Sequence, residues 1–177
     1  MMTKRFKFYA SLGTLQNQLL WIFEKIAEAC ANLDAQLVIL GGGASADSLP
    51  ELPGNPIVVG YAPQLELLKR ASLTITHAGL NTTLESLSNG VPMVAIPIAN
   101  DRPGVSSRIA WTGTGEVVPL KKITVEKLHT AIAKVLTDDS YRQNALKLQK
   151  VMAQSSGVGK AADIIEQAVA IGHSTHT

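Results

Sequence analysis

His77, Asn81, Thr82 and Glu85 stand in one short run, Thr76-His77-Ala78-Gly79-Leu80-Asn81-Thr82-Thr83-Leu84-Glu85, whose types and spacing suit a nucleotide. An imidazole at a strand tip can donate to a phosphate oxygen. Asn81 and Thr82, in the first turn of a following helix, offer side chains and open backbone N–H groups to the same anion. Glu85, one turn further on, is placed to accept from ribose hydroxyls. Thr82-x-x-Glu85 also matches a capping box, which needs no ligand. A second loop, Ser11-Leu12-Gly13-Thr14, brings two hydroxyls and a glycine that lets the backbone approach a phosphate closely. Tyr61 ends a strand, where its ring can stack on a base or simply pack. Asp101 and Arg102 follow another strand end, where they can bind sugar hydroxyls or form a surface ion pair of little worth. Together these residues read as a site for a nucleotide's phosphates and ribose.

The elements that must position them alternate. Strands are expected over 6–10, 36–40, 56–60, 72–76, 93–96 and 115–118, each apolar or β-branched and closed by Gly, Pro or polar residues. Helical spacing runs from Leu19 to Leu33, from Leu65 to Lys69, from Leu80 to Asn89 with Gly90 as its stop, and from Val105 to Trp111. Residues 44–55 read as a loop. Two or three helices finish the chain: one capped by Thr124 with Leu128, Ile132 and Val135 as its stripe, one from Ser140 with Leu146, Leu148 and Val151, and one over 161–171, with 172–177 frayed. Such spacing permits only crossover connections. The expected fold is therefore α/β, a doubly wound, mostly parallel, six-stranded Rossmann-like sheet in the order 3-2-1-4-5-6. In that order the first and fourth strands are neighbours and a ligand crevice opens above their C-terminal ends. The loops there are Ser11–Thr14 and His77–Asn81.

Composition narrows the class. The chain has 177 residues, 46% hydrophobic and 17% charged, which suits one globular domain over 1–177. A net charge of +2 argues against nucleic acid or an anionic membrane as partner. No apolar run reaches the roughly 20 residues of a membrane helix, and no apolar core follows the basic N-terminus, so a cytoplasmic location is expected. The single cysteine, Cys30, excludes an internal disulfide and reads as a buried, inert thiol. Trp21 and Trp111 lie in helical patterns and are expected in the core or at a domain contact. His129, His173 and His176 have no partner at ligand spacing, so no metal is expected.

The ordered set Tyr61-Ala62-Pro63-Gln64, His77-Ala78-Gly79-Leu80-Asn81-Thr82-x-x-Glu85, Gly90-Val91-Pro92 and Ile96-Pro97-x-x-x-Asp101 resembles the signature of UDP-glycosyltransferases with a GT-B fold. The wording around His77 and Pro97-Ile98-Ala99 is nearest to the bacterial carotenoid and macrolide type. The resemblance covers nearly the whole chain and implies the C-terminal, donor-binding half of such an enzyme, with UDP or UDP-glucose as ligand. It implies that Tyr61 stands where the family stacks a Trp on uracil, with the Ala62 backbone pairing the base edge. Gln64 and Glu85 would hold the ribose. His77, Asn81 and Thr82, with Ser11, Gly13 and Thr14 from the first loop and Gly79 in the turn, would hold the diphosphate, and Asp101 the sugar hydroxyls. No bound metal is implied, because helix dipole, N–H groups and histidine meet the leaving diphosphate.

Two departures stand out. Where the family reads Asp-Gln, this chain reads Asp101-Arg102, and Arg only donates and is always charged; altered or weakened donor-sugar selection is expected. The acceptor domain and its general base belong to an N-terminal half for which no counterpart precedes Phe6. No catalytic residue is therefore expected in this chain, which should bind UDP-sugar and transfer poorly alone, as an excised domain, a truncated product or a subunit of a split enzyme. Other classes are a non-catalytic nucleotide-binding module, a GT-B epimerase with only Glu85 and Asp101 as acids, and an NAD-dependent oxidoreductase. The last is opposed by the lack of G-x-G-x-x-G after the first strand.

Overall fold

Phe6–Ser11 forms β1, and its alternation decides which side chain faces which layer. Phe8 and Ala10 point to one face of the sheet and Tyr9 to the other. In the computed structural model, which describes residues 6–13, 19–41, 51–99, 101–155 and 157–174, β1 is followed by α1 (Leu20–Cys30), β2 (Ala35–Leu40), β3 (Ile57–Val59), α2 (Gln64–Leu68), β4 (Leu73–Thr76) and α3 (Leu80–Ser88). Then come β5 (Met93–Ala95), α4 (Arg102–Trp111), β6 (Gly115–Val117), α5 (Val125–Thr137), α6 (Asp139–Gln154) and α7 (Gly157–Ser174). The strands form one six-stranded sheet in the order β3-β2-β1-β4-β5-β6, and every pair is parallel. This is the order expected from the alternation of elements.

Helices cover both faces, as parallel strands require. On one face Ile22, Phe23 and Ile26 of α1 and Leu128 and Ile132 of α5 pack on Phe8, Leu37, Ile39, Leu73, Ile75 and Val94. Each such side chain contributes about 1.5–3 kcal/mol by leaving water. On the other face Leu68 of α2 meets Tyr9. Beside it Leu87 of α3, Ile109 of α4 and Ala145 of α6 meet Met93 and Ala95. Thr124 caps α5 as expected, its hydroxyl accepting from Lys127 N at 3.2 Å. Cys30 is buried in the first layer, and burial pushes its thiol up to about 12.

Several expectations are corrected. Trp21 is exposed and Trp111 is 85% exposed, so neither belongs to the core. In α6 the buried residues are Tyr141 and Ala145, while Leu146 and Val151 face outward. Helix α4 starts at Arg102 rather than Val105, because Pro103 fits a first helical turn. Helix α7 runs from Gly157 through Ser174, earlier and longer than its apolar spacing suggested.

Candidate functional site

Register builds the site. Ser11 pairs with Thr76, and Thr76 with Ala95, so the C-terminal ends of β1, β4 and β5 lie in one row. Above them opens a cavity of about 390 Å³, lined by Ser11, Gly13, Leu40, Gln64, His77, Gly79, Leu80, Asn81, Thr82 and Arg102.

His77 lies at the centre, 6% exposed. A Cβ on Gly13 would fall 2.8 Å from its Cε1, and one on Gly79 would fall 2.7 Å from its Cε1 and Nε2. Both glycines therefore make room for this ring, and Gly13 also takes a left-handed φ of +77°. The sequence assigned Gly13 to phosphate approach alone; the ring is a second reason for it. Between His77 and Gly79 the chain turns through Ala78, a fully buried non-glycine at φ +63°, a conformation costing about 1–2 kcal/mol. Nδ1 of His77 is buried without a hydrogen-bond partner. Burial, then the positive charge of Arg102, lower its pKa to about 4, partly offset by a backbone hydrogen bond with Ser11 and then by the charge of Asp101. At neutral pH the ring is uncharged, with one nitrogen to donate and one to accept.

Helix α3 meets the cavity with an open end. Its N-cap is Gly79, which offers no side-chain cap, so the first-turn N–H groups remain for a ligand. Thr82 sits inside the helix, and the capping-box reading is thereby overturned. Its Oγ1 accepts instead from Gln64 Nε2 at 3.5 Å, and Gln64 Nε2 also donates to the Glu85 carboxylate. Gln64 Oε1 in turn accepts from the Tyr9 hydroxyl at 2.6 Å. Burial holds that phenol up at about 12 against a side-chain hydrogen bond with Ser11, with the Glu85 charge adding to the rise, so it stays a donor. Tyr9 was missed in the sequence, although a buried tyrosine on the face opposite Phe8 needs a partner for its hydroxyl.

Eight of the residues singled out in the sequence line the cavity: Ser11, Gly13, Gln64, His77, Gly79, Asn81, Thr82 and Arg102. Glu85 reaches its edge through Gln64. Tyr61 is 88% exposed, and Tyr61, Ala62 and Asp101 do not line the cavity. Thr14 lies outside the described residues. The surface-pair reading fails for Arg102, which is buried. Leu40 and Leu80 complete the wall and were not anticipated. Among the described residues, no group of three or more metal-ligating side chains comes together.

The family model for UDP-glucoronosyl and UDP-glucosyl transferases matches residues 8–155, a span that holds the whole cavity. The chain belongs to that family. Among members of the UDP-glycosyltransferases, the zeaxanthin glucosyltransferase of Pantoea ananas is 36% identical over 169 residues, covering 94% of this chain and 39% of that protein. The demethyllactenocin mycarosyltransferase of Streptomyces fradiae is 34% identical over 157 residues, covering 88% and 34%. Among solved structures, the glycotransferase of kitacinnamycin superimposes with a TM-score of 0.85 at 30% identity, covering 94% of this chain and 44% of that one. Os79 from O. sativa, in complex with UDP and deoxynivalenol-3-glucoside, gives 0.72 at 26% identity, covering 83% and 37%. The chain thus spans about two fifths of the curated relatives it matches, and its fold is that of the C-terminal half of GT-B glycosyltransferases.

Proposed function

We propose that this chain is the donor-binding part of an inverting UDP-sugar-dependent glycosyltransferase. The observation that carries this reading is the cavity over the β1 and β4 ends. There a buried neutral histidine, an open helix N-terminus and the Gln64–Glu85 pair are brought together by the continuous β4–α3 segment and the start of α2. The first two suit a diphosphate and the pair suits ribose hydroxyls. Ser11 and Gly13 close the phosphate side, with Gly13 N already turned onto Ser11 Oγ at 3.3 Å. Transfer would need an acceptor hydroxyl, deprotonated by a base on another domain or subunit, to attack the anomeric carbon while UDP leaves toward His77 and α3. On this reading the chain binds UDP or a UDP-hexose and transfers little alone.

Calorimetric titration of UDP and UDP-glucose into the chain tests this. Saturable binding that is lost in both Glu85→Ala and His77→Ala is expected. Binding unaffected by both substitutions would place the nucleotide elsewhere and sink the reading.

A further inference from the structure

Arg102 is the first residue of α4, on the loop that leaves β5, and it is 8% exposed. Its Nη1 is buried with no hydrogen-bond partner. No carboxylate among the described residues pairs with it: the ion pairs there are Lys69–Glu66 and Lys134–Glu116. The neighbouring Asp101 is exposed and lies outside the cavity wall. A guanidinium does not shed its proton, so a buried one with no ion-pair partner is a cost that folding alone does not recover. Such a group lining a cavity, with its buried Nη1 unpartnered, is suited to an anion that arrives from solution.

We infer that Arg102 is the anion anchor of the donor site, pairing with the diphosphate of the bound nucleotide. This rests on the donor-site reading above and adds to it the group that carries the charge. The surroundings favour the diphosphate over any other anion. Arg102 lines the same cavity as Ser11, Gly13 and His77, and the His77 ring lies against Gly13 and against Gly79, where the open turn of α3 begins. Its charge is close enough to His77 to help hold that ring neutral. A neutral imidazole meets a phosphate only as a hydrogen-bond donor, which leaves Arg102 as the full positive charge among the described residues that line the cavity. The expectation that Asp101-Arg102 merely alters sugar selection is thereby sharpened: the arginine acts on the phosphates before any sugar is read.

The test titrates UDP, UMP, UDP-glucuronate and inorganic pyrophosphate into the full chain and into Arg102→Gln and Arg102→Lys. Loss of a charge-assisted pair corresponds to a drop of about tenfold to a hundredfold. We expect Arg102→Gln to lose that much for both UDP and pyrophosphate and to narrow the gap between UDP and UMP, while Arg102→Lys restores most of it. Without ligand, Arg102→Gln should melt no lower than the parent, because it removes an unpaired buried charge. A clear drop would show a structural partner and overturn the inference. Unchanged UDP and pyrophosphate binding in Arg102→Gln would overturn it as well, and if only UDP-glucuronate weakened, the anion would be a sugar carboxylate. Pyrophosphate bound through Arg102 with no affinity for UDP would leave the anchor standing and remove the donor reading instead. A parent chain that bound neither would remove both.

Discussion

The Tyr9 hydroxyl donates to Gln64 Oε1 at 2.6 Å, joining the second layer of β1 to the first residue of α2. Gln64 then spends its amide N–H groups on Glu85 and Thr82. The bond therefore fixes which way the Gln64 amide faces, and through it where the Glu85 carboxylate sits. Tyr9→Phe should cost about 1–2 kcal/mol of stability, since a part-buried acceptor loses its donor. It should also weaken UDP several-fold while weakening pyrophosphate less, because Tyr9 reaches the phosphate side only through Ser11. Denaturant unfolding and calorimetry measure the two effects. Equal losses for UDP and pyrophosphate would contradict a role exerted mainly on the Gln64–Glu85 side.

The His77 ring between Gly13 and Gly79 predicts a contrast among glycines. Gly79→Ala sets a methyl 2.7 Å from the ring and should cost about 1–3 kcal/mol and displace His77. Gly13→Ala adds a left-handed φ of +77° to a similar clash and should cost at least as much. Gly104→Ala in α4, with nothing within 4 Å of the added carbon, should be neutral or stabilising by up to about 1 kcal/mol. Urea midpoints for the three variants decide it. A destabilised Gly104→Ala with an unaffected Gly79→Ala would be the wrong order.

Much of this was readable before the fold was known, for physical reasons. The strand order follows from β-branched runs closed by turns and separated by crossover helices, and Ser72–Thr76 flowing into His77-Ala78-Gly79 marked the crevice. What escaped were facts about side-chain surroundings. Asp101-Arg102 reads either as a pair for sugar hydroxyls or as a surface ion pair, and only the packing of α4 against β5 and β6 shows that Arg102 turns inward and Asp101 outward. Ala78 at a positive φ has no sequence signal, since that conformation ordinarily selects glycine or asparagine. Trp111 sits in a helical apolar pattern but on the outer side of a helix whose inward residues are Ser106 and Ile109.

The depressed pKa of His77 predicts how acid acts on the fold. The ring titrates near 4 in the folded chain against an ordinary 6.5. Above pH 6.5 both states are neutral and the shift has no effect. As pH falls from about 6.5 toward 4, the unfolded chain takes up a proton that the folded chain refuses, so stability declines across that window. His77→Gln should lack this decline. Glu116 also contributes: burial opposes its charge, but hydrogen bonds from Lys134 and Tyr141 hold its carboxyl low, so it loses stability at acid pH in both proteins. The quantity to follow is therefore the difference between parent and variant midpoints at pH 7 and pH 4.5. A difference that does not change with pH would contradict a neutral, buried His77.

Cys30 is buried in the α1 layer and its thiol is pushed up to about 12. Alkylation by iodoacetamide at pH 8 should proceed at the rate of global opening and be sharply accelerated by urea. Rapid modification of the native chain, tracked by intact mass, would show that the α1–sheet contact opens on its own.

The most direct test is a crystal structure of the chain with UDP. The predicted complex places the ribose hydroxyls on Glu85 and Gln64, and the diphosphate between the Gly13 loop, His77, Arg102 and the first turn of α3. UDP bound with its phosphates away from His77 and Arg102, or on another face of the sheet, would contradict the donor site described above.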